Sequence, residues 1–291
     1  MNKHLRIIPR LDVKGPNLVK GIHLEGLRVL GKPNDYAQHY YENGADEIFF
    51  QDSVASLYNR NNLDSIVKQT AKNVFIPIAV GGGIRTLEDI RSILRAGADK
   101  VSINTAALKD PNFLKKAVSE FGSSTIISSM EVIETSNNRF ELFTDCGREE
   151  TNIEVSEWIN RVHDLGVGEI LITSVDNEGA GKGFNLKLIE LTQNIIEIPY
   201  IIHGGPGNFD HIKNVLENQY RIDGLALASI LHYDLIDSIN NMSQGFEDEG
   251  NIEFLRNIKN ISGRKRINPT SIKQLKNKIN KETNYKVRNY E

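Results

Sequence analysis

Two spacings of apolar residues alternate along this chain. Short, nearly continuous apolar runs such as "RIIPRLDV" (6–13), "EIFF" (47–50), "IPIAV" (76–80) and "GEILITSV" (168–175) read as strands. Between the runs, apolar residues recur at three- and four-residue steps over 35–43, 62–72, 86–97, 110–121, 153–166, 185–195, 208–219 and 234–242, as in Ile90, Ile93 and Leu94. That spacing predicts amphipathic helices. Strands without polar alternation are covered on both faces, which predicts a parallel sheet built from βαβ units. About eight such units in roughly 240 residues predict a (β/α)8 TIM barrel. The competing architecture, a doubly wound sheet, would carry G-x-G-x-x-G at its first strand, where "LDVKGPN" stands instead.

The pattern also repeats. "IPIAVGGGIRTLEDIRSILRAGADKVSINTAAL" (76–108) matches "IPYIIHGGPGNFDHIKNVLENQYRIDGLALASIL" (198–231), "DEIFFQDSV" (46–54) matches "GEILITSVD" (168–176), and "IIPRLDV" (7–13) matches "IISSMEV" (126–132). The expected barrel is therefore two repeated half-barrels. Two segments depart from the repeat. Residues 131–150 predict a β-hairpin extension after the fifth strand, turning at Ser136-Asn137-Asn138. The periodicity breaks after residue 243, which divides the chain into a barrel (1–243) and a C-terminal extension (244–291). In the extension "NPTSIKQLKNKIN" predicts a short helix packed on the barrel or on a partner.

Composition narrows the class without changing the fold. The 291 residues are 39% hydrophobic and 25% charged, as in ordinary soluble domains. A formal net charge of −3 gives no reason to expect a nucleic-acid polymer or an anionic membrane as partner. The single Cys146 cannot form an internal disulfide, and the first apolar run is too short for a signal peptide, so a cytoplasmic location is expected. No apolar run approaches the roughly 20 residues of a membrane helix.

Barrels of this class carry their chemistry at the C-terminal ends of the strands. Asp12, Asp52, Asn104, Glu131, Thr173, Asp176 and Ser229 fall there; Gly82-Gly83 and Gly204-Gly205 follow the third and seventh strands, and Thr105 and Ser229 follow the fourth and eighth. Glycine turns free backbone N–H groups, and with hydroxyls at helix starts they make phosphate cradles. The same glycines would also serve plain tight turns. Two cradles on opposite sides predict an elongated ligand with a phosphate at each end. Asp12 and Glu131, on strands one and five, face each other as a general acid and base would; two solvated acids are the plainer reading. Lys20 with the glycine-containing loop 21–35 reads as a mobile lid or as ordinary surface. Cys146 has no local His partner, and the seven histidines lack metal-ligand spacing, so no metal and no cofactor are called for. His203, beside the second glycine pair, reads either as a ligand contact or as an ordinary loop residue. At the other end, Arg6, Glu47, Lys100 and Glu169 mark four strand entries; they form either a stabilising ring or a gate for something small.

With these residues in place, "RIIPRLDVKGPNLVKG" (6–21), "VGGGIRTLEDIRSILRAGADKVSINTAA" (80–107), "GEILITSVDNEG" (168–179) and "ALASILH" (226–232) resemble the cyclase subunit family of imidazole glycerol phosphate synthase, over about residues 4–240. The resemblance implies a glutaminase docked on the bottom face whose ammonia passes the charged gate. It implies ammonia attack on a bisphosphorylated ribulosyl-formimino-aminoimidazole carboxamide nucleotide, yielding imidazole glycerol phosphate for histidine and an aminoimidazole carboxamide nucleotide. By motif, Asp12 and Glu131 would be catalytic and Lys20 the lid lysine. Gly83, Asn104 and Thr105 would hold one phosphate, and Gly204, Gly205, Ala228 and Ser229 the other. Arg6, Glu47, Lys100 and Glu169 would be the gate.

The chain departs from that family at the reacting centre. Glu131 and Glu178 stand where it has Asp, Arg10 where it usually has Cys, and "DCGR" (145–148) where it has "GGR". The run "DNEGAGKGF" (176–184) and the long tail are not its standard ending either. Asp to Glu moves a carboxylate by roughly one bond length, and a misplacement near 1 Å costs about 10²-fold in rate. A paralogous branch that adds an acetamidino group to bacterial surface sugars shares the resemblance, and a non-catalytic scaffold activating the glutaminase is a third expectation.

Overall fold

The computed structural model describes residues 4–55, 63–218, 220–239 and 264–289. The strands are β1 (Arg6–Lys14), β2 (Asn17–Ile22), β3 (Glu25–Gly31), β4 (Ile48–Asp52), β5 (Ile78–Gly81), β6 (Lys100–Ile103), β7 (Ile126–Glu134), β8 (Phe140–Thr144), β9 (Glu149–Glu154), β10 (Glu169–Ser174), β11 (Tyr200–His203) and β12 (Gly224–Leu227). Eight of them pair in parallel in the order β1-β4-β5-β6-β7-β10-β11-β12, and β12 pairs back onto β1, from Arg6↔Gly224 to Pro9↔Leu227. The sheet closes on itself, so this is the (β/α)8 barrel. Ile8, Phe49, Ala79, Ile127, Leu171, Ile201 and Ala226 form their own buried cluster, filling the bore with apolar side chains.

Helices α1 (Pro33–Glu42), α2 (Leu63–Thr70), α3 (Leu87–Ala96), α4 (Thr105–Lys109), α5 (Pro111–Phe121), α6 (Val155–Asp164), α7 (Leu186–Gln193), α8 (Phe209–Glu217) and α9 (Ser229–Ile239) follow the strands. Their apolar stripes, with Trp158, Ile90 and Ile212 fully buried, make the larger core between helices and sheet. Local chemistry sets the boundaries. Thr86 and Asp89 exchange side-chain-to-backbone bonds in a capping box, and Gly97 ends α3 in the left-handed region at φ 116°. The helix expected from 234 starts earlier, at Ser229, because "SILHYDLI" is apolar nearly all round and shows no clean stripe. Helix α4 was not expected at all, since five residues are too few to display a period.

The half-barrel repeat runs further than the sequence suggested. β7 turns back into β8 and then β9 as antiparallel strands, with Asn138 at φ 55° in the expected turn between β7 and β8. A second hairpin, β2 with β3, extends β1 in the same way. The segment 21–35 is thus not the expected loop: its first part is a strand pair turning at His23 and Leu24, both at positive φ. Neither is Asn or Gly, so the turn carries no sequence signal.

The extension forms helix α10 (Ile272–Glu282), capped by Ser271, whose hydroxyl accepts from the backbone N–H of Gln274. Leu275 and Ile279 are buried against the barrel. Lys286 then bridges to His4, and its carbonyl accepts from Leu5 at 2.9 Å, at the N-terminal end of β1. The expected boundary at 243/244 lies outside the described residues. No helix among the described residues is long and apolar enough to cross a membrane.

Lys276 ties the extension down. Its Nζ donates to Asp46 Oδ1 at 2.7 Å, and Asp46 Oδ2 accepts the backbone N–H of Ile7 at 2.8 Å. Both side chains are buried, and removing one member of such a pair strands the other charge. Lys276→Met should lower the unfolding free energy by about 3 kcal/mol, read as a lower urea midpoint at unchanged m-value. An unmoved midpoint would show that the pair does not hold the extension in place.

Candidate functional site

Side chains alternate along a strand, so β1 sends residues 6, 8, 10 and 12 into the bore. Arg6 lies at the bottom, Ile8 in the apolar layer, and Arg10 and Asp12 at the mouth. β10 does the same with Glu169, Leu171 and Thr173. One periodicity therefore builds a charged floor, a dry middle and a polar mouth.

The floor is a closed ring. Arg6 bonds Glu47 at 2.8 Å and also bonds Glu169; Lys100 bonds Glu47 at 3.1 Å and Glu169 at 2.8 Å. Burial pushes the Glu47 carboxyl up, against the pull of Lys100 and Arg6.

At the mouth two buried ion pairs dominate. Arg10 Nε donates to Asp12 Oδ1 at 2.9 Å, while its Nη1 reaches Thr173 Oγ1 at 3.2 Å. The backbone of Arg10 is fixed by His232, whose Nε2 lies 3.0 Å from the Arg10 carbonyl and whose Nδ1 lies 2.7 Å from the Tyr40 hydroxyl. Lys20 pairs with Glu178, and Glu178 also accepts from the backbone N–H of Leu24 at 3.0 Å. Burial alone would lower the Lys20 ammonium, but Glu178 and then Asp12 raise it above its usual range. Burial alone would raise Glu178, yet Lys20 holds it below the ordinary carboxylate range. Glu131 differs from both. Burial pushes it up to about 7, against Arg10 and a 2.9 Å bond from the Gly147 N–H. It stands half-protonated near neutrality between groups that hold their charge.

Two cavities flank this network. The larger, 310 Å³, is lined by Asp52, Gly82, Gly83, Asn104, Thr105 and Glu131, joined by Arg85, Ser102, Lys109 and Asp145. Gly82 is required by geometry: at φ 98°, a methyl group on it would meet the Asp52 carbonyl at 2.4 Å. Ser102 Oγ and Asn104 Oδ1 are buried without a protein partner. Unsatisfied polar atoms along a cavity wall suit a ligand. The smaller cavity, 20 Å³, is lined by Gly204, Gly205, Ala228 and Ser229, with Glu178, His203 and Ile267. A methyl group on Gly205 would strike the Gly183 carbonyl at 2.0 Å. His203 Nδ1 lies 2.8 Å from the Ala226 carbonyl, and Nε2 is buried without a protein partner. Burial, then Arg10, lowers its imidazole to about 3, so it is neutral and its Nδ1–H donates.

The expected residues therefore divide into groups. Asp12, Lys20 and Thr173 sit in the buried network and line neither cavity. Asp176 turns away: its carboxylate accepts the Glu134 N–H at 2.8 Å, at the end of β7, and it joins neither wall. Lys20 is a strand residue with its ammonium buried, not part of a loose loop. Arg85 and Lys109 enter the site without having been expected there, and Arg10, noted only as a departure from the family pattern, enters it as the partner of Asp12. Cys146 lines the larger cavity, but burial pushes its thiol up to about 12 and its Sγ donates to the Ser53 carbonyl, which suits no nucleophile. Among the described residues no three His, Cys, Asp or Glu side chains gather to hold a metal ion.

Comparison with known proteins gives the family. A family model described as "Histidine biosynthesis protein" matches residues 6–237. The chain is 53% identical to the imidazole glycerol phosphate synthase subunit HisF of Legionella pneumophila over 210 residues, covering 72% of this chain and 99% of that one. It is 43% identical to the HisF subunit of an Exiguobacterium strain over 227 residues, covering 78% and 88%.

Glu131 supplies a pH signature. Between 4.5, the ordinary value, and about 7 the folded chain holds a proton there that the unfolded chain has released. Stability from this group therefore falls as pH rises through that window. Glu131→Gln, which cannot ionise, should gain on the wild type by on the order of 2–3 kcal/mol between pH 4.5 and pH above 7. Parallel stability–pH curves for the two proteins would refute the shift.

Proposed function

This chain belongs to the histidine biosynthesis protein family, and on that premise we propose that it is the cyclase subunit of an imidazole glycerol phosphate synthase. The observation that carries the reading is a single bore with a charged ring at one end and, at the other, Asp12 and Glu131 between two cavities with unsatisfied polar walls. A bisphosphorylated ribulosyl nucleotide fits that layout. One phosphate takes the larger cavity, at Gly82, Gly83, Asn104 and Thr105, with Arg85 and Lys109 on the same wall. The other takes Gly204, Gly205, Ala228 and Ser229, at the N-terminus of α9.

Ammonia released by a glutaminase at the bottom face would enter through the ring of Arg6, Glu47, Lys100 and Glu169. The ring is closed by four ion pairs, so entry requires one to open. Neutral ammonia crosses the apolar layer of Ile8, Phe49 and Leu171 more easily than ammonium, whose charge would have to be desolvated. At the mouth, attack on the ribulosyl carbonyl forms the new C–N bond, and the C–O bond breaks as water leaves an imine. One proton for that oxygen comes from the attacking nitrogen by way of Asp12, and the oxygen needs a second. Glu131, half-protonated near neutral pH, can supply that proton. Asp12, paired with Arg10, takes a proton from the attacking nitrogen. Lys20 and Glu178, beside the β2–β3 turn, hold the hairpin over the centre. We assign this chemistry to the barrel, residues 1–243.

Two experiments test the reading. With ammonium salt and the nucleotide but no glutaminase, the purified chain should turn over, and Asp12→Asn should lower the rate about 10³-fold. Silence from a folded wild type would reject the histidine-pathway role in favour of another acceptor for the ammonia. Lys100→Glu should retain ammonium-driven turnover while losing glutamine-driven turnover in the mixed complex. Intact coupling in that variant would remove the ring from the ammonia path.

A further inference from the structure

The family match ends at residue 237, yet the chain returns to the barrel mouth well beyond it. The returning segment is bonded to both loops of the smaller cavity. The Asn268 N–H donates to the Gly207 carbonyl at 2.7 Å, in the loop that follows Gly204 and Gly205. The Thr270 N–H donates to the Ile230 carbonyl at 3.0 Å, one residue past Ser229. Just before these contacts Ile267 is buried and lines the cavity.

The barrel loops leave room for this chain. A methyl group on Gly181 would come 3.0 Å from Arg266 Cβ, and one on Gly207 would come 2.5 Å from the Arg266 carbonyl. The approach is held from outside by α10, through Leu275, Ile279 and the Lys276–Asp46 pair. The smaller cavity is narrow. It measures 20 Å³ against 310 Å³ for its counterpart across the mouth, space for little more than one water.

Charge points the same way. Glu178 is the one charged residue among those described along this cavity, and Lys20 already neutralises it. The neutral His203 and the backbone N–H groups at Gly205 and Ser229 offer no formal positive charge. Arg266, exposed and packed on Gly181 of the cavity wall, adds a cation there through the extension.

We infer that Ile267, with Arg266 packed beside it on Gly181, forms a wall of this second phosphate site, so that the extension determines how tightly the far phosphate ester of the ligand is held. The inference rests on the reading of this cavity as a phosphate site. It makes the extension part of ligand binding rather than a structural ending, and it distinguishes the two ends of the ligand. The open cavity accepts a phosphate as it stands, whereas the narrow one must shift its third wall to admit one.

Ile267→Glu places a carboxylate against the incoming anion, and Arg266→Ala removes a rim cation from an exposed position. In ammonium-driven turnover of the bisphosphorylated nucleotide, Ile267→Glu should raise KM about tenfold and Arg266→Ala about threefold, with kcat within about twofold. Unchanged KM in both variants, or a loss confined to kcat, would overturn the inference while leaving the proposed function intact. If the wild type does not turn over, the proposed function fails and a second readout decides. Inorganic phosphate titrated against the His203 imidazole resonances should perturb them in the wild type, and only at about tenfold higher concentration in Ile267→Glu. Equal titrations, or no perturbation of the wild type, would overturn the inference. If Ile267→Glu does not fold, Arg266→Ala carries both measurements.

Discussion

Closing a parallel sheet on itself leaves every second side chain of each strand nowhere to go but the bore, and the site follows from that constraint. On β1 the inward series is Arg6, Ile8, Arg10 and Asp12; on β10 it is Glu169, Leu171 and Thr173. Register across the ring brings the inward residues of neighbouring strands to common levels. Arg6 therefore meets Glu47 and Glu169 at the floor, and Arg10 meets Thr173 at the mouth. A one-residue slip in any strand would send its polar side chains into the outer core and its apolar ones into the site.

The dryness of the bore shapes the electrostatics above it. Buried charges survive there only when paired, and Arg10–Asp12 and Lys20–Glu178 are pairs. Among the described residues Glu131 has no cation in its hydrogen bonds and accepts the Gly147 N–H, and burial raises it towards neutrality. One carboxylate tied to a guanidinium and another that retains a proton is the division of labour that acid–base chemistry requires. Arg10 connects the two, being bonded to Asp12 and attracting Glu131.

The half-barrel repeat supplies two similar ends, and the extension makes them unequal. Both halves place a glycine pair after one strand and a hydroxyl after the next, and both extend their first strand by a hairpin. Only the second half is covered by Ile267, delivered by a helix whose other flank pairs with the start of β1. The same short extension thus touches the mouth of the barrel and its floor end.

The sequence by itself determined the alternation of strands and helices, the repeat, and which residues fall at strand ends. Each of these is a local property: apolar spacing, glycine turns and chain order. It could not determine the hairpin at 21–31, because His23 and Leu24 adopt positive φ without the residues that usually signal it. Nor could it tell that Asp12, Lys20 and Thr173 are paired in a buried network between the cavities while Asp52 and Glu131 line one of them, since that depends on Arg10 reaching across from one strand to another. The place of Ile267 was equally hidden. It lines one cavity with Gly204, Gly205 and Ser229, far off in the chain, and only the folded path of α10 brings it there. Local pattern specifies elements and their order; which side chains are buried, paired or open to a ligand is decided where distant segments meet.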